Sequence, residues 1–204
     1  MESGGGFPLH QKTTKMIDVP FIHDFFYEGF PRNFDQLLVF IENSKLDPNQ
    51  KLEWSKDCLV EAKGLELKNN INYFFPLLKD FFDSLEIPIY DRNMQMTGLW
   101  TNTYTKHCFQ EVHDHCPSHL SGVLFLTDEQ EGDGKFYFLN KHSSEIPEPF
   151  VDMTNNTTNV FARRHFIKAE RGKVLLFPSY LMHGVTVHKT DYPRRTASFN
   201  FNIL

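Results

Sequence analysis

The stretch Gly172-Lys173-Val174-Leu175-Leu176-Phe177-Pro178-Ser179-Tyr180-Leu181-Met182-His183-Gly184-Val185 decides the fold. Glu170-Arg171-Gly172 signals a turn, Val174 to Phe177 suits a buried strand, and Pro178 stops it. A short loop then delivers His183 to the mouth of another strand, Val185 to His188. Working backwards, His113-Asp114-His115 stand just ahead of the apolar run Ser121-Gly122-Val123-Leu124-Phe125-Leu126. Alternate side chains of a strand share a face, so His113 and His115 point one way and Asp114 the other. Two imidazoles on one face need a third donor from elsewhere to hold a divalent metal, and His183 is the candidate.

Eleven residues beyond His183, Arg194 opens a last alternating strand that runs to Ile203. One face carries Arg194, Thr196, Ser198 and Asn200, which are small or polar apart from the cation and suit a cavity lining. The other carries Arg195, Ala197, Phe199 and Phe201, which suit packing. A guanidinium takes a carboxylate in two parallel hydrogen bonds, with Arg195 as the alternative if the register slips by one. Tyr104 or Asn102, on the strand that precedes His113 and His115, would add a hydrogen bond. His10, His23, His119, His142, His165 and His188 read as packed or surface residues, and His107 as a neighbour of the site or a surface residue.

Outward from these motifs, the chain divides into helices followed by strands. Phe34, Leu37, Leu38 and Ile41 fall at helical spacing with Asn33 as cap. Ile71 to Leu85 repeats the pattern, with Pro76 inside its first turns. Between them Asp47-Pro48 opens a short helix that Lys63-Gly64 closes. Strands follow from about residue 87: Leu99 to Thr105, Val123 to Thr127, Phe136 to Leu139, Val160 to Ala169, Val174 to Phe177, Val185 to His188 and Thr196 to Ile203. Glu131-Gly132-Asp133-Gly134 supplies another turn, and Glu145 to Asn159, with sequons at Asn155 and Asn156, reads as a long loop. The expected class is α+β: an antiparallel barrel or sandwich over about 87–204, supported by helices over about 30–86.

The 204 residues are enough for one domain. Met1-Glu2-Ser3-Gly4-Gly5-Gly6 begins a stretch, residues 1–15, that reads as a leader or expression tag before Met16, leaving 16–204 as the domain. A net charge of −5 with scattered basic residues gives no footprint for nucleic acid. No apolar run has the length of a membrane span. Three cysteines, an odd number, do not make a disulfide scaffold and fit reduced thiols in a cytoplasm. The 21 phenylalanines suit the filling of a β-rich core.

Gly172 to Pro178 with His183-Gly184-Val185 resembles the distal-histidine segment of the double-stranded β-helix (jelly-roll) oxygenases, prolyl hydroxylases included. More narrowly, Trp100-Thr101-Asn102, His113-Asp114-His115-Cys116-Pro117, Leu120-Ser121-Gly122-Val123, Phe177-Pro178, His183-Gly184-Val185 and Phe199-Asn200-Phe201 resemble a 2-oxoglutarate/Fe(II) oxygenase family of bacteria and phages. The resemblance covers about residues 97–203 and implies Fe(II) on His113, His115 and His183. It implies 2-oxoglutarate held at its far carboxylate by Arg194, with Tyr104, Asn102 and Ser198 as further contacts. It implies a dioxygenase that hydroxylates an aliphatic C–H of an amino acid or a peptidyl or small-molecule substrate. Substrate contacts are expected from His107 to Glu111 and from the loop 145–159.

One departure stands out. His115 occupies the place where the wider superfamily has a carboxylate, and a third neutral imidazole leaves the metal more positive. Three other readings therefore stay open. A cupin-like three-histidine protein, acting as a 2-oxoglutarate-independent dioxygenase or isomerase, fits the spacing from Gly172 to His183. That reading expects a glutamate where the chain has His119 and Leu120. A zinc hydrolase or lyase fits three histidines and a bound water, although no general base is placed beside them. A non-catalytic barrel that binds a ligand would make the histidines incidental.

Overall fold

The computed structural model describes residues 24–50, 52, 57–67, 71–89, 93–142, 145, 147–149 and 162–204. The leader, His10, His23, the two sequons and most of the loop 145–159 lie outside the described residues. Within them the order is β1 (Tyr27–Gly29), α1 (Phe34–Asn43), β2 (Glu61–Gly64), α2 (Ile71–Ser84) and β3 (Met94–Tyr104). Then come β4 (Gln110–His113), β5 (Leu120–Phe125), β6 (Phe136–Leu139), β7 (Arg164–Ile167), β8 (Val174–Pro178), β9 (His183–Val185) and β10 (Arg194–Ile203).

Both helices form where the 3.6-residue apolar period predicts them. Asn33 holds the N-cap position of α1 without a side-chain cap bond. Its amide instead donates to the Tyr73 carbonyl of α2 at 2.9 Å, tying the two helices together. The expected short helix ending at Lys63-Gly64 is replaced by a strand: β2 pairs antiparallel with β3, Ala62 opposite Asn102 and Gly64 opposite Trp100. Asp47 forms a turn, its carboxylate accepting the Asn49 N–H at 2.9 Å. Cross-strand pairing outweighs local propensity there.

Two antiparallel sheets face each other. The larger has the order β1-β8-β5-β10-β3-β2 and the smaller β4-β9-β6-β7. From β3 onwards the chain steps between the sheets, which is the double-stranded β-helix. Strand alternation sorts the side chains of the large sheet into two cores. Leu99, Leu120, Leu124, Val174, Leu176, Ala197, Phe199 and Phe201 join Leu37, Ile41, Phe74, Leu78 and Phe81 on the helix side. Tyr104, Val123, Phe125, Leu175 and Phe177 point between the sheets to meet Phe136, Phe138 and Val185. Gly172 turns at φ +90°, a conformation that favours glycine. At Gly122 the Phe199 ring lies where a side chain would stand, 2.2 Å from an added Cβ.

Phe199 is fully buried, and its ring centroid lies 4.7 Å from that of Phe74, joining the central strand to α2. Phe199→Ala is expected to cost about 3–5 kcal/mol of unfolding free energy, read from the shift of a urea midpoint. A loss under about 1 kcal/mol would show that the helices do not brace the barrel.

Candidate metal centre and cosubstrate cleft

The metal candidates come from two neighbouring strands of the small sheet. β4 and β9 run antiparallel with His113 directly opposite His183. His115 follows β4 in a loop that is still held in place, because its backbone N–H donates to the Ser179 carbonyl at 2.9 Å. Ring centroids lie 4.3 Å apart for His113 and His183, and 5.0 Å for each of the other two pairs. The ligand atoms of the three all fall within 4.8 Å of one another. Asp114 is exposed, and its carboxylate accepts the Cys116 N–H at 3.0 Å. It therefore turns away from the cluster, although β4 ends at His113 and strand alternation does not extend to Asp114 and His115.

Backbone carbonyls orient two of the rings. His113 Nδ1 donates to the Glu111 carbonyl at 2.7 Å and His183 Nδ1 to the Leu181 carbonyl at 2.9 Å. That leaves Nε2 of each free of its proton, which is how metal-bound histidines are usually fixed. Burial disfavours the charged form of all three. His113 is lowered, His115 is lowered to about 4, and His183 falls well below its usual value. After burial, the neighbouring imidazoles lower His115 and His183 further. Near neutral pH the cluster offers three uncharged nitrogens.

The same cleft, about 270 Å³ of empty space including its mouth, is also lined by Trp100, Tyr104, Gln110, Val123, Phe136, Val185, Arg194, Thr196 and Ser198. Arg194 is 2 % exposed, and among the described residues its guanidinium pairs with no carboxylate and interacts with the Tyr104 hydroxyl. Its guanidinium lies 4.8 Å from the Tyr104 ring centroid and 5.6 Å from that of Phe125. The Tyr104 hydroxyl donates to Gln110 Oε1 at 2.7 Å, and burial holds its pKa up at about 12, so it stays neutral. A buried cation without an anion is costly, which leaves Arg194 suited to a ligand's carboxylate. Arg195 faces the helices and pairs with Glu42 at 3.5 Å.

Ser198 and Thr196 line the cleft, whereas Asn102 stands behind them, its amide donating to Ser198 Oγ at 3.2 Å and Thr196 Oγ1 at 3.3 Å. His188 is fully buried, accepting the Gly134 N–H on Nδ1 at 3.1 Å and donating from Nε2 to the Tyr192 carbonyl at 2.7 Å. It is a packed histidine, and His107 is a surface one. Reading the sequence missed Gln110, Trp100 and Phe136 as cleft residues. Their inward positions on β3, β4 and β6 follow from register, and no motif marks them.

The residues present fit a divalent ion beside a dicarboxylate, and the comparisons agree. Residues 98–200, half of the chain, match the family described as "Putative 2OG-Fe(II) oxygenase", and that span includes every residue lining the cleft. The chain belongs to this family of 2-oxoglutarate- and Fe(II)-dependent oxygenases. No curated protein matches the chain by sequence. Among solved structures, HygX from Streptomyces hygroscopicus with nickel and 2-oxoglutarate bound is similar at a TM-score of 0.53 and 15 % identity, covering 88 % of this chain and 83 % of that one. A Pseudomonas putida prolyl-4-hydroxylase gives 0.57 and 10 %, covering 88 % and 93 %. The α-ketoglutarate-dependent epimerase SnoN from nogalamycin biosynthesis gives 0.56 and 12 %, covering 88 % and 76 %. At these identities the shared fold is what the likeness establishes. The family match decides against the cupin-like, zinc-hydrolase and non-catalytic readings. No helix among the described residues is long and apolar enough to cross a membrane.

The depressed histidine pKa values give a pH dependence to the metal-free protein. Between pH 6.5 and about 4 the unfolded chain takes up protons that the folded His115 refuses, so stability is full above 6.5 and falls as pH drops towards 4. Thermal melts of the metal-free protein across this window are expected to show a falling Tm, reduced in His115→Asn. An identical pH profile in the variant would contradict the burial assigned to that ring.

Proposed function

We propose that His113, His115 and His183 hold Fe(II), that Arg194 anchors the far carboxylate of 2-oxoglutarate, and that the reaction hydroxylates an aliphatic C–H of a small-molecule or amino-acid, including peptidyl, substrate. The observation that carries this reading is the buried guanidinium of Arg194, without a carboxylate partner among the described residues, in the same cleft as the three neutral imidazoles. When bound, Fe(II) and 2-oxoglutarate supply the oxidising chemistry, in which dioxygen is consumed, the cosubstrate is decarboxylated to succinate, and one oxygen atom passes to the substrate.

The protein's own residues provide position and exclusion. Tyr104 lies against the guanidinium and is itself fixed by Gln110, so the donor plane is set before the ligand arrives. Asn102, bonded to both Thr196 and Ser198, orients their hydroxyls on the cleft wall. Val123, Phe136 and Val185 keep the remaining wall apolar, which limits water and strengthens the charge pairing inside. Among the described residues no carboxylate lines the cleft. The dianionic cosubstrate therefore supplies the negative charge that a ligand carboxylate gives elsewhere in the superfamily.

For the substrate, HygX offers a precedent, being known with hygromycin B bound alongside nickel and 2-oxoglutarate. Substrate contacts belong, on this reading, to the segment His107 to Glu111 that leads into His113, where His107 and Glu111 are exposed. A cytoplasmic setting in a bacterium or phage-infected cell fits the small, odd number of cysteines.

Anaerobic titration of the Fe(II)-loaded protein with 2-oxoglutarate, followed by its visible charge-transfer absorption, tests the ligand assignment. Arg194→Ala is expected to weaken cosubstrate binding by roughly 2–5 kcal/mol with Fe(II) affinity retained. His183→Ala is expected to abolish stoichiometric metal binding. Unchanged cosubstrate affinity in Arg194→Ala would remove the anchor from this residue.

A further inference from the structure

Trp100 belongs to a sequence motif whose role the ligand assignment leaves unexplained. Its side chain is 4 % exposed and lines the cleft, yet its indole Nε1 is buried without a hydrogen-bond partner. Buried N–H donors are paired in the great majority of cases, because an orphan forfeits its hydration for nothing. Of the buried side-chain atoms without partners among the described residues, the Arg194 nitrogens, Asn102 Oδ1 and Trp100 Nε1 share the inward faces of β10 and β3. Arg194 is accounted for by a carboxylate. Trp100 is not.

The orientation of the ring narrows what it serves. Its benzo edge lies over Gly98, where an added Cβ would stand 3.1 Å from Cζ3. Nε1 is on the opposite corner of the indole, so it turns away from Gly98. The indole also meets the His115 ring edge-on, with centroids 5.4 Å apart. Trp100 pairs in register with Ser198, whereas Arg194 pairs with Tyr104, four residues along the same ladder. The donor therefore stands at the metal end of the cleft and the guanidinium at the other.

Resting on the ligand assignment above, we propose that the Trp100 indole N–H donates a hydrogen bond to the keto-acid end of 2-oxoglutarate beside His115, making Trp100 a second cosubstrate-binding residue opposite Arg194. A carboxylate ligand at position 115 would repel an incoming anion; a neutral imidazole flanked by an N–H donor receives one.

The experiment uses the full-length protein and Trp100→Phe, which keeps an aromatic ring and removes the donor together with part of the ring surface. In anaerobic titrations the variant is expected to bind 2-oxoglutarate roughly ten- to hundredfold more weakly, the scale of one hydrogen bond to a charged group, with Fe(II) affinity unchanged. In the wild type, ¹⁵N-indole spectra with Zn(II) as a diamagnetic replacement are expected to show the Trp100 N–H resonance move downfield on saturation with 2-oxoglutarate. Equal cosubstrate affinity and an unmoved resonance, with the wild type binding normally, would overturn this inference and leave the Arg194 assignment intact. An equal loss of Fe(II) affinity in the variant would overturn it in favour of a packing role. A wild type that binds Fe(II) but no 2-oxoglutarate would overturn both.

Discussion

The antiparallel pairing of β4 with β9 places His113 opposite His183, and the rest of the site is arranged around that contact. The two rings have centroids 4.3 Å apart; burial keeps His113 neutral, and burial together with the neighbouring imidazoles keeps His183 neutral. The third ring depends on the neighbouring loop. Ser179 accepts the His115 N–H on its carbonyl and donates its own N–H to the His119 carbonyl at 3.1 Å. Its hydroxyl lies 2.7 Å from that of Ser121, which donates to Asn200 Oδ1 at 2.8 Å. The chain that leads into His183 is thereby fastened to the chain that carries His115, and the fastening reaches β10.

Electrostatics gives the cleft its direction. One end gathers three neutral nitrogens and the other holds a cation with no counterion among the described residues. Replacing the carboxylate ligand common in the superfamily by His115 raises the positive charge of an occupied site by one unit. In a low-dielectric cleft that makes an anionic ligand more strongly held. On the proposed assignment the dicarboxylate and the site complement each other at both ends, through the metal and through Arg194. The helices take no part in this chemistry; they cover the far face of the large sheet and keep β10 and β3 in register through Phe74, Phe199 and Phe201.

Much of this was legible in the chain because period and spacing carry it. The amphipathic spacing of α1 and α2, the buried run of β8, and the alternation along β10 are local patterns that tertiary packing reinforces. His-x-His pointed to the cluster, although β4 ends at His113 and His115 reaches it from the following loop rather than by strand alternation. What stayed hidden depends on neighbours. β2, Glu61-Ala62-Lys63-Gly64, has no β-branched or aromatic residue and exists because β3 offers it an edge. β1 spans three residues and is defined by its pairing with β8. β4 shifts register between Gln110 and His113, so no simple alternation reveals that Gln110 faces the cleft. The isolation of Arg194 and of the Trp100 indole is a statement about which groups do not surround them, and no sequence pattern encodes that.

The most direct measurement is a crystal structure of the protein loaded anaerobically with Fe(II) and 2-oxoglutarate. The account predicts one metal bound by a nitrogen from each of His113, His115 and His183, with the far carboxylate of the cosubstrate paired to both terminal nitrogens of Arg194. A metal bound through Asp114, or one that omits any of the three imidazoles, would contradict it.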